Sequence, residues 1–296
     1  MRTTKSMWKS LVLSLLSLGS VLGFNSVQAT IIANYPNFTG ACGSSTLTCV
    51  GNATTVGSVL RVSPAATGQH GAAYSTTAVT LGSNATFSTT FQFQFTNPGG
   101  IDPADGITFV LAQNNSALGG AGGGIGYLGV SNSVAIEFDT FDNGSGDNNS
   151  SNEVGVDANG SLTSLIQVNP YGVVTCDFGS NSYTSFGCMS NGDIWTATIG
   201  YDGSHLTVQV QDGLNAAQTL INNYSIDIAS YLLTNTAYVG FTSATGAGWE
   251  NHDILNWQFA NDTSLGPGTK IPEPASITLL GIGLAGVRFI RRKRIS

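Results

Sequence analysis

The chain predicts an all-β fold, an antiparallel sandwich or jelly roll, on three observations. Apolar residues recur at every second position in one run after another, the period of a half-buried strand. Turn-forming pairs such as Asp202-Gly203 and Asp212-Gly213 separate these runs at short intervals. The composition is rich in Gly (38 residues) and poor in charge (9%), with many Thr, Ser and Asn, which favours strands and turns over helices. Nothing in the chain shows the strand–helix alternation of a parallel sheet.

Residues 1–29 come first and read as a secretory signal. Arg2, Lys5 and Lys9 precede an apolar run over 11–24, and Val27-Gln28-Ala29 offers a small-residue cleavage pattern. The mature chain then starts at Thr30. Its strands begin with 87–95, where Phe87, Phe91, Phe93 and Phe95 alternate with Ser, Thr and Gln. Further strands are expected over 107–111, 133–141, 195–201, 206–210, 237–242 and 254–259, and a short helical turn over 226–233. The domain is expected to span 30–262, with a Gly- and Pro-containing linker over 263–270.

The last segment, 271–296, holds Pro272-Glu273-Pro274, an apolar run over 275–287, and a basic cluster of Arg288, Arg291, Arg292, Lys293 and Arg294. The run is shorter than the about 20 residues of a comfortable transmembrane span. It reads either as a marginal anchor giving transient membrane association or as a processed sorting tail. The three parts in this order resemble the bacterial PEP-CTERM sorting signal. That resemblance implies an exosortase-type processing enzyme as partner and delivery to the cell envelope, surface or extracellular matrix.

Charge excludes one class of partner. Of the ten Lys and Arg residues, only Arg61 and Lys270 lie between the signal and the tail, so the domain is strongly acidic. It has nothing with which to neutralise nucleic-acid phosphates. Cys42 and Cys49 form one close pair and Cys176 and Cys188 another. Three connectivities are possible, and local pairing is the simplest in an exported chain. His70, His205 and His252 are scattered and read as surface or packing residues.

The run 134–157, VAIEFDTFDNGSGDNNSSNEVGVD, carries the chemistry. In an extended strand Glu137, Asp139 and Phe141 share one face. Carboxylates side by side repel unless a cation lies between them. Asn143 and Asp147 follow in an oxygen-rich loop, and an all-oxygen set suits calcium first and manganese second. The run lacks the spacing of a helix-loop-helix calcium site.

Four segments in order resemble the legume-type (L-type) lectin family: ADGITFVLAQ at 104–113, GGGIGYLGV at 122–130, EFDTFDN with its EVGVD continuation, and GFTSATGAGWENHDILNWQF at 240–259. The resemblance covers most of the mature domain and implies a concanavalin A-like jelly roll with a shallow sugar site at one end. It implies metal ligands at Glu137, Asp139, Phe141 (through its carbonyl), Asn143 and Asp147, binding Ca2+ with Mn2+ or a second Ca2+ beside it. Where the family has a His ligand this chain has Glu153, which makes the second position all-oxygen. The resemblance also implies sugar contacts from Asp105, the Gly126 N–H, Phe141, Asn143 and the loop Ala247, Gly248 and Trp249, and a cis peptide between Ala104 and Asp105. Read without the family, Asp105 before Gly106 is simply a turn former.

The implied function is a secreted or envelope-associated, non-enzymatic protein that binds a glycan or extracellular polysaccharide. Two alternatives stand beside it. Related jelly-roll glycoside hydrolases carry E-x-D-x-x-E, and this chain has Glu137, Asp139 and Asp142 at that spacing; a strand would send Asp142 to the face opposite Glu137. The other is a structural or adhesive matrix protein with a decayed sugar site, suggested by Glu153 and Gly248.

Overall fold

Two sheets enclose an aromatic core, as the alternating Phe pattern requires. The computed structural model describes residues 31–267. The signal, Lys270 and the sorting segment, including the apolar run over 275–287 that is a candidate anchor, lie outside the described residues. Among the described residues no helix is long and apolar enough to cross a membrane.

The strands in chain order are β1 (Ile31–Tyr35), β2 (Leu47–Gly51), β3 (Thr54–Val56), β4 (Val59–Ser63), β5 (His70–Ser75), β6 (Val79–Thr80), β7 (Phe87–Gly100) and β8 (Gly106–Ala112). They continue as β9 (Ser133–Asp139), β10 (Glu153–Ala158), β11 (Ile166–Val168), β12 (Trp195–Tyr201), β13 (His205–Asp212), β14 (Gln218–Ser225), β15 (Thr236–Ala244) and β16 (Gly248–Ala260). One short helix, α1 (Ile228–Leu232), is capped by the Asp227 side chain, which accepts from the Ser230 N–H.

The first sheet runs β14-β13-β12-β7-β16-β4-β3, with β1 also on β16. The second runs β11-β10-β9-β8-β15-β5-β2, with β6 also on β15. Every pairing between strands is antiparallel. Phe87, Phe91, Phe93 and Phe95 of β7, with Trp257 of the neighbouring β16, share one inter-sheet core with Phe109, Phe138 and Phe241 of the second sheet. Phe91 meets Phe138 and Phe241 edge to face at 5.7 and 5.0 Å. Each such ring contributes about 1.5–3 kcal/mol by burial.

The second sheet is covered on its other side too. Residues 113–132 cross its outer face, and Tyr127 and Val130 pack there on Ala72, Tyr74, Val110, Ala112 and Ala135. This second layer explains why every residue of β8 and β9 is buried. The two disulfides join the close pairs, Cys42 to Cys49 and Cys176 to Cys188. Residues 262–267 lie against the first sheet, where the Ser88 hydroxyl donates to the Asp262 carbonyl and accepts from the Leu265 N–H.

Candidate functional site

β9 stops two residues earlier than the alternation predicts. The Phe141 N–H donates to Asp139 Oδ1 at 2.7 Å instead of joining the ladder. This local turn starts the oxygen-rich loop, which is closed when the Asn143 N–H donates to Asp147 Oδ2 at 2.6 Å. Phe141 is half-buried, Asn143 is exposed and Asp147 is buried.

Register assembles the acidic groups. Asp139 lies opposite Glu153 on β10, Glu137 opposite Gly155, and Ala135 opposite Asp157. Directly paired residues of an antiparallel ladder project to the same side. Glu137, Asp139, Glu153 and Asp157 therefore share the outer face of the second sheet, each almost fully buried. Gly155 leaves the space: a Cβ there would lie 2.6 Å from Glu137 Oε1. The Ser164 hydroxyl sits within hydrogen-bond reach of both Glu137 Oε1 (2.8 Å) and Asp157 Oδ1 (2.9 Å), and Gln167 donates to Glu153 Oε2 at 2.5 Å.

Burial, then mutual repulsion, raises every carboxyl of this group. Glu137 is raised well above its ordinary value by burial and then by Asp157, and Asp139 by burial and then by Glu137 and Asp147. Asp147 is raised mainly by burial. Burial and then Glu137 push Glu153 up to about 8, and burial pushes Asp157 up to about 7. No basic residue relieves them. Arg61 is the only Lys or Arg among the described residues, and it is engaged by Asp253 through two bonds of 2.8 and 2.7 Å. The donor set, all oxygen and short of positive charge, matches a hard cation in chemistry. In this conformation no three His, Cys, Asp or Glu side chains among the described residues converge closely enough to enclose one. Asp157 was missed in the sequence, where EVGVD read only as the end of a motif. The visible signal was its period-two spacing from Glu153.

Asp105 lies on the same end of the sheet, at the mouth of β8. The Ala104–Asp105 peptide is cis. The Asp105 N–H donates to Ala244 O at 3.1 Å, and its carbonyl accepts from Thr140, just past β9. The side chain is buried, and Oδ2 has no hydrogen-bond partner. Burial and then the charge of Glu250 push this carboxyl up to about 7.

The residue after it is held by a closed circuit. The Gly106 N–H donates to His252 Nε2 at 3.1 Å, so the neutral ring carries its proton on Nδ1. Nδ1–H then donates to Ser63 Oγ at 2.8 Å, Ser63 to Ser243 Oγ at 2.7 Å, and Ser243 back to the Gly106 carbonyl at 2.7 Å. His252 is thus a fully buried packing residue. Both its nitrogens are used, and it gives no proton to Glu250 Oε1, which lies 3.6 Å away and accepts instead from Thr140 and Ser190.

The remaining predicted residues gather around the same end, with different neighbours than expected. Asn143 lies against Gly123, where a Cβ would come 2.6 Å from its Oδ1. The Gly126 N–H already donates to Gly120 O at 2.8 Å, whereas the Gly123 N–H has no partner among the described residues. Gly248 packs on the loop before Asp105: a Cβ there would lie 2.2 Å from the Asp102 carbonyl. Ala247 is exposed, and the half-buried Trp249 lies over Gly99 and Gly100 of β7. Asp142, the third acid of the hydrolase spacing, is outside the strand and exposed, accepting from the Gly144 N–H.

Known proteins resemble this chain in sequence and fold. A family model described as the legume lectin domain matches residues 33–274, and one described as the PEP-CTERM protein-sorting motif matches 270–294. The sorting motif marks an exported protein of the cell envelope or surface. A lectin-like protein of Arabidopsis thaliana is 30% identical over 210 residues, covering 65% of this chain and 75% of that one. An L-type lectin-domain receptor kinase of the same plant is 30% identical over 196 residues, 64% of this chain and only 26% of the kinase. The metal-free form of lectin I-B4 from Griffonia simplicifolia superposes with a TM-score of 0.62 at 26% identity, covering 77% of this chain and 98% of the lectin.

Proposed function

Since this chain belongs to the legume lectin domain family, and its lectin relatives and structural neighbours indicate a non-enzymatic carbohydrate-binding protein, we propose that it is an exported glycan-binding protein with a calcium-organised sugar site. One observation carries this reading: Asp105 Oδ2, a buried acceptor without a donor, beside the loops that hold Asn143 and Gly123. Burying a carboxylate oxygen unpaired is costly, and sugar hydroxyls are the donors that would relieve it. Phe141 would meet the apolar face of the ring, and Asn143 would donate its amide. Ala247, Gly248 and Trp249 would form the rim. Gly126 could donate its N–H only by leaving Gly120, so Gly123 is the better placed donor of that loop.

Calcium would be held by Asp139, Asp147, Asn143 and the Phe141 carbonyl, with Glu137 and Glu153 for a second calcium or manganese. The ion supplies the positive charge these carboxylates lack and fixes their loop before the sugar arrives. Exosortase-type processing of the tail accompanies this reading.

The test is a glycan-array screen of the exported chain with calcium and then with EDTA. Binding that needs calcium and disappears in Asp105→Ala is expected. A folded chain that binds no glycan in either condition would instead be a structural matrix protein.

A further inference from the structure

Residues 169–194, between β11 and β12, form a long connection whose middle is closed by the Cys176–Cys188 disulfide. Long connections in a compact domain commonly serve a binding role. This one is fastened to three parts of the sugar end. Its Cys176 N–H donates to Ser151 Oγ at 2.7 Å, and the Asn152 side chain bonds to Val173 O, Gly187 O and the Met189 N–H, tying it to the segment that follows the metal loop. Its Ser190 reaches Glu250 beneath Asp105. Its Phe178 N–H donates to Asp102 Oδ1 at 2.7 Å.

The last of these bonds sets an aromatic pair beside the site. Asp102 is three residues from Asp105, so their Cα atoms are at most about 11 Å apart. Phe178 packs edge to face on Tyr183 at 5.0 Å and 87°, and both remain only half-buried. Neighbouring Ile101 is 58% exposed. Half-exposed aromatic rings one hydrogen bond from the loop that carries Asp105 offer the flat apolar surface that the C–H face of a further ring requires. The disulfide and the Asn152 bonds hold that surface in place, so binding need not order it.

We propose that Phe178 and Tyr183 form a second subsite, for the next residue of a glycan whose first residue is held at Asp105. The ligand is therefore an oligosaccharide or polysaccharide, bound in preference to a free monosaccharide. This rests on the carbohydrate-binding reading above. No motif singled out in the sequence includes these residues.

The test measures, on the exported chain with calcium, affinities for matched mono- and trisaccharides of glucose, mannose, galactose and N-acetylglucosamine. In the series that binds, the trisaccharide is expected to bind at least tenfold more tightly. In Phe178→Ala that ratio should fall to near one, and in the Cys176→Ser/Cys188→Ser variant it should fall while thermal unfolding shows a folded chain. Equal affinity for mono- and trisaccharide in the native chain overturns the subsite and leaves the lectin reading intact. An equal loss for both ligands in Phe178→Ala also overturns it, since the residue then acts only through the fold. Absence of binding to every sugar overturns both.

Discussion

Two buried polar groups, one bridging the two sheets and the other on the outer face of the second, solve burial in opposite ways. Around Gly106, His252, Ser63 and Ser243 pass hydrogen bonds in a ring in which every donor meets an acceptor and no charge is needed. Around Glu137, Asp139, Glu153 and Asp157, acceptors face acceptors and no basic side chain is at hand. The first group is complete as the chain folds. The second is left short of donors, a difference that supports reading the first as scaffold and the second as part of the proposed site.

The sharpest way to break the contrast is to vary pH and calcium together. Unfolded carboxyls titrate near about 4, whereas burial and repulsion hold Asp157 up to about 7 and Glu153 up to about 8. Between those limits the folded chain binds more protons than the unfolded one. Metal-free stability should therefore be greatest at the acid end of that window and fall as pH rises through it. Calcium at 100 times its Kd should restore about 2.7 kcal/mol at pH 8, a rise in Tm of about 5–10 °C. Calorimetry at pH 5 and pH 8, with calcium or EDTA, reads all four states. Equal metal-free stability at both values would contradict the account.

Breaking the other group should give a loss that calcium cannot repair. His252→Phe keeps the aromatic contact with Phe95 at 4.8 Å and removes the acceptor for Gly106 and the donor to Ser63. Two buried groups lose a partner, so about 2–4 kcal/mol should be lost, equally with and without calcium, by urea unfolding. The smallest effect is expected from Asp157→Asn, which removes one charge from the acidic group at a position that is no proposed ligand. The metal-free chain should gain at least about 1 kcal/mol at pH 8 and less at pH 5, narrowing the pH dependence.

Legibility in the sequence followed the number of neighbours an element has. β7 and β12 have a core face and an open face, so their alternation was plain. β5 (HGAAYS) is covered on both sides and built of small residues, and no period could show it. β9 read correctly up to Asp139, but a side-chain bond to the Phe141 N–H ended it where alternation alone would continue. In the site, the strand spacing of Glu137 and Asp139 was visible, while Glu153 emerged only through the family resemblance. Asp157 showed only its period-two spacing from Glu153, and the Gly106 circuit required the register between strands that lie far apart in the chain. Gly126 reads in the sequence as an N–H donor to the sugar, whereas in the structure that N–H donates to Gly120 O, a contact no motif encodes.

β16 has one further consequence. It starts at Gly248, beside Asp105, and runs its 13 residues to Ala260, a distance of about 40 Å. Leu265 and Gly266 then settle near Ser88 and Gly200, at the end of the sheet remote from Asp105. The domain is thus a post with its binding loops at the top and the departure of its tail at the foot. A tether holding the chain at Pro267 would leave Asp105 at the opposite end, so tethering and the proposed glycan capture would use different surfaces.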